Sequence, residues 1–238
     1  MRKALISFFV FALGYSTAWF YGIYRLEEFG ASKIRELHHA GYTFSYQRVE
    51  KGGFPFKACF KVERPVVRYK DIFEVRTPGS LVLETYIWKP FQIITKVGEP
   101  IFFIVGDQKK YLARGTIGAF QAIHRPKYHT VDLKVVHIKQ GFLAECLIES
   151  LSYKSTHEKE PDVSLACYNI VVPALRENIF GAQIEDFSLS FKMKGEVRGD
   201  SLYEAVKYWS ENQGHLDIKD FRLKWGHFFI KGNGDLAL

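Results

Sequence analysis

The chain has 238 residues, of which 47% are hydrophobic, 16% aromatic and 25% charged, with a formal net charge of +7. These proportions exclude an intrinsically disordered chain and a polytopic membrane protein, and the length fits one large domain or two small ones with a substantial core. A content of 21 Phe and 13 Tyr against 2 Met leans toward strands, because aromatic side chains suit a pleated, half-buried surface.

Arg2 and Lys3 precede residues 4–24 (ALISFFVFALGYSTAWFYGIY), a stretch without a charged side chain. As a helix it measures about 31 Å, the thickness of a bilayer's hydrocarbon core. Two readings fit it: an uncleaved membrane anchor, or a signal peptide cut after the small residues Ser16 and Ala18. The anchor is the better of the two, because the apolar run continues through Trp19, Phe20 and Tyr21, where an interfacial aromatic belt would stand. A buried core helix normally keeps a polar stripe, and this stretch has none. In either case the bulk of the chain is exported. The basic pair places the N-terminus in the cytoplasm, although Arg25, Lys33 and Arg35 weaken that asymmetry.

Residues 25–40 (RLEEFGASKIRELHHA) set Leu26, Phe29, Ile34 and Leu37 near one side of a short amphipathic helix, a stalk or lid interrupted by Gly30. From residue 41 the period becomes two. Strands are predicted at 42–50, 56–63, 81–88, 91–97, 101–105, 115–123, 131–138, 144–155, 165–172 and 184–194. Turn formers such as Lys51-Gly52-Gly53, Thr77-Pro78-Gly79 and Gly98-Glu99-Pro100 separate them, as in an antiparallel meander. Phe187, Leu189, Phe191 and Met193 alternate with Asp186, Ser188, Ser190 and Lys192, which marks one buried face. By contrast, 101–105 (IFFIV) and 91–94 (FQII) are apolar on both faces and need cover on both sides. That cover is a second sheet, a helix or a bound apolar ligand. One helix is predicted near 201–213, with Ser201 and Glu204 at capping-box spacing and Leu202, Ala205, Val206 and Trp209 as its apolar stripe. Two further strands follow at 216–225 and 227–238.

No reaction is legible. Gly199-Asp200-Ser201-Leu202 spells a lipase and esterase signature, but no Asp-x-x-His element follows to supply a base and its orienting carboxylate, and helix capping accounts for Ser201. Cys59, Cys146 and Cys167 lack zinc or redox spacing; Cys146 and Cys167, on successive predicted strands, allow either an export-compartment disulfide or two buried thiols. The pairs His38-His39 and His124 with His129 lack the companions of a zinc site, and Glu158, Glu160 and Asp162 read as a solvated hairpin tip. No phosphate-binding glycine loop is present, and export excludes nucleic acid as a partner for the aromatic and basic residues. No cofactor or metal is expected.

Several short elements carry a family resemblance. Gly41-Tyr42 follows the amphipathic helix, Gly53-Phe54-Pro55-Phe56 opens a strand, Trp88-Lys89-Pro90-Phe91 comes next, and a late Trp225-Gly226 leads into residues 232–238. Together with the anchor they make the chain resemble the domain of unknown function 2125 family of Gram-negative envelope proteins, and more distantly AsmA-like proteins. That resemblance implies no catalytic residues. It implies a curved antiparallel sheet with an apolar groove that binds or conducts membrane lipid, phospholipid or another anionic envelope lipid, from an inner-membrane anchor with the bulk of the chain in the periplasm. Relatives run on past the position matching Leu238, so a shortened groove is expected here. Lipid contact is assigned to Phe91, Ile93, Phe102, Ile104, Phe187, Leu189 and Phe191. Gly53, Phe54, Pro55 and Phe56 are given a structural role: Gly53 for close approach or positive φ, Pro55 for an extended edge. The expected organisation is an anchor at 1–24, a short amphipathic helix at 25–40 and an exported, mainly β domain at 41–238. The alternative function is a structural or adaptor protein that holds an envelope protein partner or anionic head groups.

Overall fold

The structure is a computed structural model that describes residues 2–70, 72–107, 110–140, 144–195, 198 and 202–237. It is mainly β with two α-helices, and the described strands form one large antiparallel sheet that does not close on itself. The chain divides into two compact units, Met1–Leu112 with Ala119–Arg125, and Ala113–Gly118 with Pro126–Leu238.

The first unit opens with helix α1, Arg2–His39, followed by β1 (Tyr42–Ser45), β2 (Arg48–Gly52), β3 (Lys57–Glu63), β4 (Val66–Tyr69), β5 (Phe73–Arg76), β6 (Ser80–Tyr86), β7 (Lys89–Val97) and β8 (Ile101–Asp107), together with the ends of β9 (Lys110–His124). The strands branch into two ladders from β9, β8-β5-β4-β1 and β7-β6-β3-β2. The chain passes between ladders at Arg64-Pro65, at Thr77-Pro78-Gly79 and at Gly98-Glu99-Pro100, as suits prolines that cannot donate to a ladder. Backbone bonds tie two of these corners together, from Arg64 N–H to the Gly79 carbonyl at 2.8 Å and from Thr77 N–H to the Pro65 carbonyl at 3.4 Å.

Helix α1 runs unbroken through Gly30, so the apolar stretch and the amphipathic segment are one element and not an anchor joined to a separate stalk. Its residues Tyr15, Trp19, Gly22, Ile23 and Leu26 recur at helical spacing along one side. Gly22 permits close approach to β3, since a Cβ there would stand 3.0 Å from Ala58 Cβ. Ile23 and Leu26 then join Ala58, Leu83 and Ile93 in the core, with Leu26 0% exposed. The Trp19 indole donates to the Lys57 carbonyl at 2.9 Å, and the Tyr15 hydroxyl to the Pro55 carbonyl at 2.7 Å. Closer to the N-terminus, Ile6, Phe8, Phe9, Val10, Phe11 and Leu13 are all exposed.

Three sequence readings need correction here. The predicted strand 42–50 is two strands, β1 and β2, on different ladders, and the short strands β4 and β5 stood unrecognised between 63 and 81. The Gly53-Phe54-Pro55-Phe56 motif does not open a strand. It is the turn of the β2–β3 hairpin, with a cis Phe54–Pro55 peptide in place of an extended edge. Gly53 does have a positive φ of 93°, and a Cβ there would lie 2.6 Å from the Lys57 carbonyl oxygen.

The second unit is a meander. The middle of β9 is followed by β10 (Tyr128–Gln140), β11 (Ala144–Thr156), β12 (Asp162–Val171), β13 (Gln183–Lys194), β14 (His215–Trp225) and β15 (Phe228–Ala237), each beside the next, with helix α2 (Leu202–Glu211) between β13 and β14. Register makes its two faces unlike. One row reads Leu133, Leu151, Cys167, Phe187, Leu223 and Ile230, and the next Val131, Tyr153, Leu165, Leu189 and Phe221. Alternating rows are polar, such as Asp132, Ser152, Ala166, Ser188, Arg222 and Lys231. The Trp209 indole on α2, nearly buried, donates to the Lys194 carbonyl at 2.6 Å. Ser201, the expected helix cap, lies outside the described residues. Cys146 and Cys167 are free thiols and not a disulfide: Cys167 faces Leu151, five positions along β11 from Cys146.

Leu26 makes the interface of α1 with β3 and β6 testable. Leu26→Ala leaves a cavity in that core and is expected to destabilise the full chain by about 2–5 kcal/mol, read from denaturant unfolding in detergent.

Candidate functional site

Where α1 leaves the core, the two ladders of the first unit diverge beneath it and enclose a cavity of about 470 Å³. Helix α1 contributes Phe29, Gly30, Ile34 and Leu37 to its wall. The β3–β6 ladder contributes Phe60, Val62, Leu81 and Leu83, and Phe44 and Val67 come from β1 and β4. The volume falls within the range of small-ligand sites, about 300–1,000 Å³. Its floor is well supported, because Phe29, Phe60 and Leu81 pack against the core cluster under the helix.

Polar groups are a minority of the lining. Glu27 is ion-paired with Lys51, and Lys33 with Glu36 at 2.6 Å, while Tyr46, Thr95 and His124 are the other polar residues of the lining. The His124 ring lies 5.0 Å from that of Phe29. Such a site binds by removing apolar surface from water, with little directional hydrogen bonding to select a polar ligand. Among the described residues no group of three His, Cys, Asp or Glu converges to hold a metal ion.

None of the seven residues assigned to lipid contact lines this cavity. Ile93, 5% exposed, belongs to the core beneath α1, so protein covers it. Phe91 is exposed at the start of β7, Phe102 is exposed on β8, and Ile104 is half-buried two residues further on. Phe187, Leu189 and Phe191 do share one face, the half-buried apolar rows of β13, with Phe187 edge-on to Phe221 at 6.0 Å. The assigned residues are thus divided between the two units, Phe91, Ile93, Phe102 and Ile104 in the first and Phe187, Leu189 and Phe191 in the second. Sequence reasoning missed that residues 27–37 form a cavity wall. The signal was the stripe of Phe29, Ile34 and Leu37, whose apolar side required a partner.

On the ladder face away from α1, one carboxylate is buried. Glu84 alternates with Leu83 and Thr85, which meet the helix side, and its side chain is 3% exposed. Lys57 reaches it at 2.7 Å and Lys96 at 2.5 Å. Burial alone pushes the Glu84 pKa up, but hydrogen bonds from Lys57 and Lys96 outweigh it and hold the carboxyl below its ordinary value of 4.5. The Lys57 ammonium is raised by the same hydrogen bond.

Comparison with known proteins yields no matching family model, no similar curated protein and no similar solved structure.

The Glu84 cluster fixes the sign of one pH dependence. A carboxyl depressed on folding adds stability above its unfolded pKa and loses it as pH falls through the lower folded value. Unfolding of the full chain between pH 6 and pH 3 is expected to show a smaller acid loss in Glu84→Gln than in the parent, although the variant starts less stable.

Proposed function

We propose that this chain is a membrane-tethered, non-catalytic lipid-binding protein that accepts an acyl chain in the cavity between α1 and the two ladders. The observation that carries the reading is the cavity's position. Its wall is the continuation of a helix long and apolar enough to cross a membrane. An acyl chain entering there gains about 0.8 kcal/mol per buried methylene, so eight to ten methylenes contribute about 6–8 kcal/mol before the cost of ordering the chain. No specific polar contact is needed for binding of that size. On this reading the tether sits in the inner membrane and the bulk of the chain is periplasmic, as the resemblance to an envelope family implies. The half-buried apolar rows of the second unit, which include Phe187, Leu189 and Phe191, are a separate surface of the same chemistry.

The full chain purified in mild detergent is expected to retain phospholipid in native mass spectrometry. Ile34→Trp fills the cavity from the helix side and is expected to lower that occupancy at least fivefold while shifting the unfolding temperature by no more than about 3 °C. A folded parent protein that is consistently lipid-free overturns the proposal, and a stoichiometric protein partner recovered with it would favour the adaptor role instead.

A further inference from the structure

The tether and the body of the first unit overlap along the helix axis. A span of about 30 Å measured from Lys3 at 1.5 Å per residue ends near Ile23. Contacts with the β2–β3 turn begin well before that point, at Tyr15, whose hydroxyl meets the Pro55 carbonyl, and at Trp19, whose ring lies 5.7 Å from that of Phe54. On the same scale Trp19 and Tyr15 stand about 6 Å and 12 Å inside the near edge of the hydrocarbon layer. Helix tilt deepens both values.

The parts of the body found at that level suit such a place. Two hairpin tips lie side by side there, because Lys57 pairs with Tyr86 and the Ile87 N–H reaches the Phe56 carbonyl. Residues 52–56 (GGFPF) and 85–88 (TYIW) carry no charge. Phe54, Phe56 and Trp88 are 60%, 64% and 61% exposed, and Phe91, at 61%, stands just beyond the second tip. Phe20, Tyr21 and Tyr24 of α1 are likewise exposed. Four large aromatic side chains left open to water beside an apolar helix form the kind of patch that marks an interaction surface. Charges begin where the tips end. Lys57 turns to Glu84, Lys89 is exposed, and further up the helix Glu27 pairs with Lys51.

From this juxtaposition we infer that the β2–β3 and β6–β7 tips are embedded in the bilayer crossed by α1, with Phe54, Phe56 and Trp88 in its near leaflet, Phe91 at the interface above them, and the Lys89 ammonium reaching back up to the phosphate level. The first unit is then a partly inserted body and not one held clear of the membrane on a stalk. Aromatic side chains at that depth match the interfacial preference of Trp and bury apolar area in acyl chain, while Lys89 adds attraction to anionic head groups. The inference rests on α1 spanning the bilayer but not on the cavity holding lipid.

Photocrosslinking of the full chain tests it. Benzoylphenylalanine replaces Phe9, Phe56, Ile72 or Trp88 in turn, and the protein is irradiated in liposomes of phosphatidylcholine and phosphatidylglycerol. Ile72 is the control, exposed on the turn whose Tyr69 ring touches Gly41, past the C-terminal end of α1 about 36 Å from Tyr15. Phospholipid adducts are expected at 9, 56 and 88, at least tenfold above the yield at 72, and unchanged when Ile34→Trp closes the cavity. Adducts at 9 with 56 and 88 no higher than 72 would overturn the inference while leaving the span intact. Absence of adducts at 9 as well would overturn both, and loss of the 56 and 88 adducts in the Ile34→Trp background would assign them to cavity lipid and overturn the insertion.

Discussion

The approach of α1 to β3 at Gly22 and Ala58 is the constraint from which the first unit follows. A side chain at Gly22 would press on Ala58 and push the helix away from the strand by a few tenths of an ångström. With the helix that close, Ile23 and Leu26 fall into the core, while Tyr15 and Trp19 reach backbone carbonyls on the neighbouring turn. The contact stripe has the spacing of an ordinary amphipathic helix. What hides it is the opposite side, where Phe20, Tyr21 and Tyr24 are exposed and apolar too. One helix thus carries apolar residues both on the side that meets the protein core and on the side that does not, and the stripe is masked.

That overlap explains where the sequence was informative. Most strands could be read, because alternation such as Phe187, Leu189 and Phe191 against Asp186, Ser188 and Ser190 has one interpretation in a half-buried sheet. The four-residue strands β4 and β5 could not, since Val66–Tyr69 and Phe73–Arg76 are too short to display a period. The tether was read as separate from the amphipathic segment because Gly30 looked like a break. In the fold Gly30 continues the helix and borders the cavity opposite Leu83, so it does not act as a terminator. The lipid-facing residues were chosen for two-sided apolarity, and that property does not distinguish a covering helix from a ligand. Ile93 lies under α1 for this reason. The cavity itself depends on how two ladders diverge from β9, a long-range arrangement that no local pattern encodes.

The second unit shows the same ambiguity resolved differently. Its apolar residues line up across strands because antiparallel register brings Leu151, Cys167, Phe187 and Leu223 opposite one another, and Tyr153, Leu165, Leu189 and Phe221 in the adjacent row. Cross-strand pairs of this kind stabilise the sheet even where they remain partly open to solvent. The polar rows stabilise it by other means, as where Ser152 donates to Asp132 at 2.7 Å and Ser190 to Ser164 at 3.1 Å. Register errors of a single residue would exchange the two faces, so the alternation that made these strands legible also keeps them in place.

Within the first unit, the β3–β6–β7 ladder separates two chemistries by side-chain alternation alone. Ala58, Leu83 and Ile93 serve the helix, while Glu84, Lys57 and Lys96 occupy the reverse face a residue away. A buried carboxylate with two ammonium partners is weak evidence for added stability, because desolvating the three groups offsets most of their attraction. Its consequence is positional. The paired strands β3 and β6 run from uncharged tips, past this charged layer on one face, to the apolar cavity wall at Phe60 and Leu81 on the other. A ladder that was apolar throughout its length would have no preferred depth beside a bilayer. With the tips inserted as inferred, charges placed just above them would limit how far the body sinks, since carrying Glu84 and its lysines into hydrocarbon would cost several kcal/mol per group.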